Sequence, residues 1–215
     1  MIDYDHRKST ENWAEVDYDR SLWFPVPLGF QGTKWADAAE WAYGYSLDRF
    51  RRGGRELNKK IVKKEVVPFA ERLVVARQVV AGHIGGHKLY CHCPDYTKLP
   101  TLVSIGLWKP MGDWQQAIQY YAYWGTKTAT TQPMAEWFTT DALGTGVKAQ
   151  WSGSGVNGDP TTYEQVNYVF RDETYATDVH VFLMSWDHAR FVEVLPDLDN
   201  LVRAIRCIPD PETQS

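Results

Sequence analysis

Hydrophobic and polar positions alternate most regularly between Tyr163 and Leu183. Val166, Tyr168 and Phe170 alternate with Gln165, Asn167 and Val169; past a short connection around Asp172–Tyr175, Val179, Val181 and Leu183 alternate with Asp178, His180 and Phe182. A period of two on both arms predicts a β-hairpin with one buried face, with Tyr168, Phe170, Val179 and Val181 inside. So short a connection leaves the arms antiparallel. The β texture begins near His87. KLYCHCP, then TLVSIGLWK after a loop with Pro100, then MAEWFTT and GVKAQWSGS on either side of an LGTG turn, all read as strands. Upstream, the two prolines of LWFPVPLGF (22–30) confine that segment to an edge strand or an extended stretch.

Spacings of three and four mark the helices. After Thr33, which reads as the cap, Trp35, Ala38, Ala39, Ala42, Tyr45 and Phe50 form one stripe, and Gly53-Gly54 ends it. A second stripe runs from about Glu56 to Ala81 through Ile61, Val62, Val66, Phe69, Leu73, Ala76 and Val80. Pro68 is expected to kink or divide it, because it lacks a donor and crowds the preceding turn. Asp113 caps a short aromatic helix, DWQQAIQYYAYW. After Trp186, DHARFVEVL and PDLDNLVRAI read as two pieces, with Pro196 in the first turn of the second. The sum is an α+β fold: an antiparallel sheet of five to seven strands with helices packed mainly on one face. Residues 1–215 are expected to form a single domain, with a polar arm (1–22, Trp13 and Tyr18 as docking points), a helical segment (33–82) and the sheet with its closing helix (86–208).

The Pro-punctuated WFPVPLGF, the antiparallel meander and the closing PDLDNLVRAIRCI resemble the PsbP-like α/β sandwich, and the ending is similar to uncharacterised actinobacterial proteins that close on "LPDL…VRAI". The resemblance covers 22–30 and roughly 86–208, and departs from that group in the helices inserted near 33–82. It implies a scaffold used mostly for binding and carries no catalytic residues across.

Composition changes this picture in two ways. Ten Trp and twelve Tyr exceed what a core of this length ordinarily needs, and these rings are enriched at the centres of interfaces. Charge is unevenly placed: the chain carries −4, yet Arg49, Arg51, Arg52, Arg55, Lys59, Lys60, Lys63 and Lys64 fall within sixteen residues containing one acid, Glu56. Read as a helix face, that band is a candidate binding stripe for nucleic acid or another anionic surface. No apolar run is long enough to span a bilayer, the N-terminus lacks a secretory core, and three cysteines suit a reducing compartment, so a cytoplasmic protein is expected.

Chemistry is harder to find. His83, His87, Cys91, His92, Cys93 and Asp95 are the candidate metal ligands, but on a regular strand Cys91 and Cys93 face one side and His92 the other, so no metal site and no cofactor is expected. Asp178 and His180 share a strand face ~7 Å apart and are the nearest approach to an acid–base couple. Without a partnered nucleophile, that face reads as the solvated side of a one-sided sheet. Ser185, Asp187 and His188 contain the triad residue types, but adjacency argues against a triad, and Asp187 reads as a helix cap. LGTG and GSGVNG lack the strand–loop–helix context of phosphate loops. The function expected is a non-enzymatic protein-interaction or assembly module working through an aromatic-rich surface flanked by charge, its partner another protein. A small enzyme at His180/Asp178 and polyanion binding at 49–64 are the alternatives.

Overall fold

The computed structural model describes residues 12–83, 88–94, 96–155 and 161–209. In chain order its elements begin with β1 (Asn12–Val16), β2 (Trp23–Val26), α1 (Ala38–Arg52) and α2 (Lys59–Ile61). A π-helical turn (Val62–Val66), α3 (Val67–His83), β3 (Lys88–His92) and β4 (Thr101–Trp108) follow. Next come α4 (Trp114–Ala117), a second π turn (Ile118–Ala122), β5 (Met134–Thr140) and β6 (Gly144–Ser154). The chain closes through β7 (Thr162–Asp172), β8 (Thr177–Ser185), α5 (His188–Arg203) and β9 (Ile205–Pro209). The fold is α+β and its sheet pairings are antiparallel. The chain divides into two compact units, Arg20–Leu102 and Met1–Asp19 with Val103–Ser215.

In the larger unit the strands run in the order β4-β8-β7-β6-β5. The hairpin is β7–β8, with Val166 opposite Leu183, Tyr168 opposite Val181 and Phe170 opposite Val179, all fully buried. Its turn closes through Asp172, whose carboxylate accepts the N–H groups of Thr174 and Tyr175. One face is covered by α5, which buries Phe191, Val194, Leu198, Leu201 and Val202.

The opposite face departs from the expectation of a solvated surface. Gln165, Asn167, Asp178 and His180 are buried as well. Ala117, Ile118, Tyr121 and Ala122 pack with Trp108, Val147, Ala149, Trp151 and Val169 there. The alternation misled because Gln165, Asn167 and Asp178 bond to backbone brought over from residues 111–124 and His180 meets the Asn167 amide, which a period-two pattern does not register. Two further expectations are revised. Part of the N-terminal arm is a strand, β1 pairing with β9 from Asn12↔Pro209 to Val16↔Ile205. And α5 is continuous through Pro196, which lies on the exposed face together with Val192, so the carbonyl deprived of its partner meets solvent.

In the smaller unit β2 pairs with β3, Trp23 opposite His92 and Val26 opposite Leu89. Phe24, Trp41, Phe50, Val66, Phe69, Leu73, Leu89, Cys91 and Cys93 form its core. The helix begins at Asp37 rather than at Thr33: the Asp37 carboxylate accepts the Glu40 N–H (2.8 Å) while the Glu40 carboxylate reaches back to the Ala36 N–H (2.7 Å). Pro68 is accommodated without a break. It falls in the first turn of α3, directly after the π turn, where the Val67 N–H already bonds back to the Val62 carbonyl.

Candidate functional site

The smaller unit holds a cleft of about 670 Å³, within the roughly 300–1,000 Å³ usual for ligand sites. Three segments build it: the Pro25–Pro27 stretch leaving β2, the Thr33–Trp35 turn, and one side of α1 carrying Trp41, Gly44, Tyr45, Asp48, Arg51 and Arg52. Each is fixed from behind. The Arg77 guanidinium donates to the carbonyls of Pro27 (2.7 Å) and Leu28 (2.5 Å) and lies over the Phe30 ring. The Thr33 hydroxyl donates to the Phe30 carbonyl and accepts the Trp35 N–H. Tyr45 stacks on Phe24 with ring centroids 3.8 Å apart.

Gly44 decides where Trp35 lies. A Cβ at this position would stand 2.4 Å from the Trp35 indole, so only glycine lets that ring rest on the helix and form the cleft wall. Gly in a helix interior costs about 0.5–1 kcal/mol relative to Ala, and the close contact is the return for that cost. Lys34 holds its ammonium 4.4 Å from the centroid of the same ring. Burial pushes the Tyr45 hydroxyl up to about 12, against the lowering field of Arg49. Among the described residues lining the cleft the carboxylate is Asp48, and Arg52 engages it at 2.7 Å. The Arg51 guanidinium pairs with no carboxylate among the described residues, so Lys34 and Arg51 give the aromatic walls a positive rim.

The basic band is thereby divided. α1 stops at Arg52 with Gly53 as its C-cap, so the band is not one helix face. Arg49 is buried, its guanidinium donating to the carbonyls of Ser21 (2.9 Å) and Arg20 (3.4 Å) and packing over Phe24 and Tyr45. Arg51 and Arg52 turn to the cleft. Arg55 forms a two-bond pair with Glu65 (2.7 and 3.0 Å) and packs on Tyr96. Lys59, Lys60, Lys63 and Lys64 remain exposed and have no carboxylate partner among the described residues.

The other candidates find structural employment. Asp178 is fully buried, receives a two-bond pair from Arg171 (2.7 and 3.0 Å) and accepts the Met111 N–H (2.9 Å). His180 Nε2 lies 3.2 Å from the Asn167 amide oxygen, and the Asn167 amide donates to the Ala122 and Trp124 carbonyls. These bonds close the covered face of the hairpin. Cys91 and Cys93 are buried in the apolar core, whereas His92 meets Trp23 edge-on at 4.7 Å. His87, Asp95 and the side chain of His83 lie outside the described residues, and among the described residues no three His, Cys, Asp or Glu side chains gather as metal ligands. The Ser185 hydroxyl bonds to the Asp187 backbone, Asp187 caps α5, and His188 Nδ1 sits 3.0 Å from Glu164, a pairing that the sequence did not suggest.

Sequence reasoning found Arg51 and Arg52 but missed Lys34, Trp35, Trp41 and Tyr45 as a site, having placed Trp35 and Tyr45 in a helix core stripe and given Trp41 no role. The available signal was Gly44, a helix-weakening residue between two aromatic positions of an otherwise strong pattern. No protein-family model matches this chain, and no curated protein matches it.

Proposed function

We propose that the protein is a non-enzymatic interaction module whose cleft at Trp35, Trp41 and Tyr45 receives an extended acidic segment of a partner protein. The observation that carries this reading is the cleft itself: π faces and two prolines form the walls, and Lys34 and Arg51 supply uncompensated positive charge. Aromatic-lined grooves bind extended, proline-bearing segments in recurring recognition modes, and a positive rim selects acidic ones. Three free, buried thiols, Cys91, Cys93 and Cys207, suit a reducing compartment, and we place the protein in the cytoplasm. Among the described residues no helix is long and apolar enough to cross a membrane.

The test uses twelve-residue peptides with a central Pro-Leu or Pro-Trp anchor flanked by Glu, their Lys-flanked counterparts, and Glu peptides without an anchor. Tryptophan fluorescence of the intact protein reports binding. Acid-flanked, anchored peptides should bind, with Kd raised tenfold or more by Trp35→Ala and by the double change Lys34→Glu/Arg51→Glu. Gly44→Ala should weaken binding through displacement of the Trp35 ring, with thermal stability changed by about 1 kcal/mol at most, since the helix gains propensity as it loses the contact. Equal binding of the Lys-flanked set, or indifference to all three changes, would sink the reading.

A further inference from the structure

The geometry points to a phosphate-binding subsite beside the cleft, formed by Arg20, Arg49 and Arg52. A pocket of about 330 Å³ is lined by these three arginines together with Ser21, Gly53 and Pro94. Arg52 also lines the aromatic cleft, so the two cavities share a wall.

Two observations make this more than a basic patch. The first is Arg49, 6% exposed and facing no carboxylate among the described residues. Its partners are two backbone carbonyls, the neutral Tyr45 hydroxyl and the faces of Phe24 and Tyr45, none of which carries a full negative charge. A buried cation without an ion-pair partner is costly to the fold, and the surrounding low dielectric lets its field reach an incoming anion with little screening. The second is the division of labour among the guanidiniums. Arg49 spends donors on Ser21 and Arg20, fixing the rim from which Arg20 projects. The closest contact of Arg52 with Asp48 runs through Nε, at the side of the guanidinium, and one carboxylate cannot take up all five of its donors. Arg20 is exposed and without a carboxylate partner among the described residues. Two available forks over one buried charge suit a tetrahedral dianion better than a monoanion, because guanidinium forks match phosphate oxygens in pairs and the Coulomb gain doubles with ligand charge.

The ligand class is therefore a phosphate monoester. Carried on the acidic segment that the cleft receives, it makes the partner a phosphorylated protein segment. That extension rests on the cleft reading; the phosphate site does not.

The experiment follows backbone and arginine side-chain NMR shifts of the whole chain during titration with inorganic phosphate, with acetate as the carboxylate control. Phosphate should perturb Arg20, Ser21, Arg49, Arg52 and Gly53, and bind at least tenfold more tightly than acetate. Arg20→Gln and Arg52→Gln, both at exposed positions, should each weaken it tenfold or more. Arg51→Gln removes the same charge one residue away and should change it less than twofold. Equal effects from Arg51→Gln, or shifts spread over Lys59–Lys64, would overturn the subsite in favour of unspecific attraction. A Glu-flanked anchored peptide with one phosphoserine should then bind at least tenfold more tightly than its serine form, and Arg20→Gln should abolish that gain. Phosphate binding without any peptide gain keeps the subsite and removes the phosphorylated segment. AMP binding more tightly than the phosphopeptide would transfer the site to nucleotides. If peptides bind while phosphate does not, the subsite fails and the cleft reading survives.

Discussion

Cys207 and Tyr45 show how burial sets the behaviour of single groups. The Cys207 thiol is pushed from 9.0 up to about 12, first by burial and then by the charge and hydrogen bond of Asp172. Tyr45 is pushed from 10.0 up to about 12, again chiefly by burial. In both, the folded state holds the proton more tightly than the unfolded chain does. Their contribution to stability is complete below about pH 9, where both states are protonated. It falls as pH rises toward about 12, because the unfolded chain ionises first and gains free energy by doing so. Tyr168 adds to the same trend: burial and the neighbouring Asp199 raise its hydroxyl further still. Urea unfolding at pH 8, 9.5 and 10.5 should show a declining midpoint, with Cys207→Ala making the decline shallower. A midpoint constant across this range would contradict the burial of these groups. Native protein at pH 8 should also resist thiol reagents until denatured, since Cys91, Cys93 and Cys207 are all buried.

The hairpin β7–β8 is the element whose interior was most legible, and the reason is geometric. A period of two puts alternate residues on one face, and on that face apolar side chains need nothing more than one another. Val181→Ala should cost about 1–3 kcal/mol in chemical denaturation, through lost transfer energy and the cavity left between Tyr168 and α5's side of the sheet. Amides of β7 and β8 should exchange only on global unfolding; fast exchange there would contradict the pairing. The other face was illegible because its chemistry is non-local. Asn167 is a surface residue by pattern, yet its partners are backbone carbonyls some forty positions earlier, at Ala122 and Trp124. Asp178 likewise depends on the Met111 N–H. The cleft was hidden for a related reason: Pro25, Trp35 and Tyr45 come from three segments, and no spacing rule joins them. Thr33 and Asp37 are both good caps by residue type, and what selected Asp37 was Glu40, three positions on.

At the scale of the whole molecule the uneven charge becomes a matter of kinetics. The chain is −4 overall, and an acidic partner approaching at random meets a repulsive net field. Arg49, Arg52 and Arg55 are held by local bonds and Arg51 lines the cleft, which leaves Lys59, Lys60, Lys63 and Lys64 as the exposed remainder of the band. They share a unit with the cleft without lining it, so their influence on docking is through the field and not through contact. Charge of that kind accelerates encounter and leaves the bound state nearly untouched. Converting all four lysines to Gln should therefore slow association of the acidic anchored peptide about three- to tenfold at low salt, leaving its dissociation rate within a factor of two. The difference should vanish near 0.5 M salt, where screening acts over only a few ångströms. Stability should move by no more than about 0.5 kcal/mol, as is usual for exposed charges without partners. Stopped-flow measurements at 20, 150 and 500 mM salt separate the cases. A change confined to the dissociation rate would place these lysines in the docked interface, and the positive surface used for binding would then extend from the cleft along α2 and its π turn.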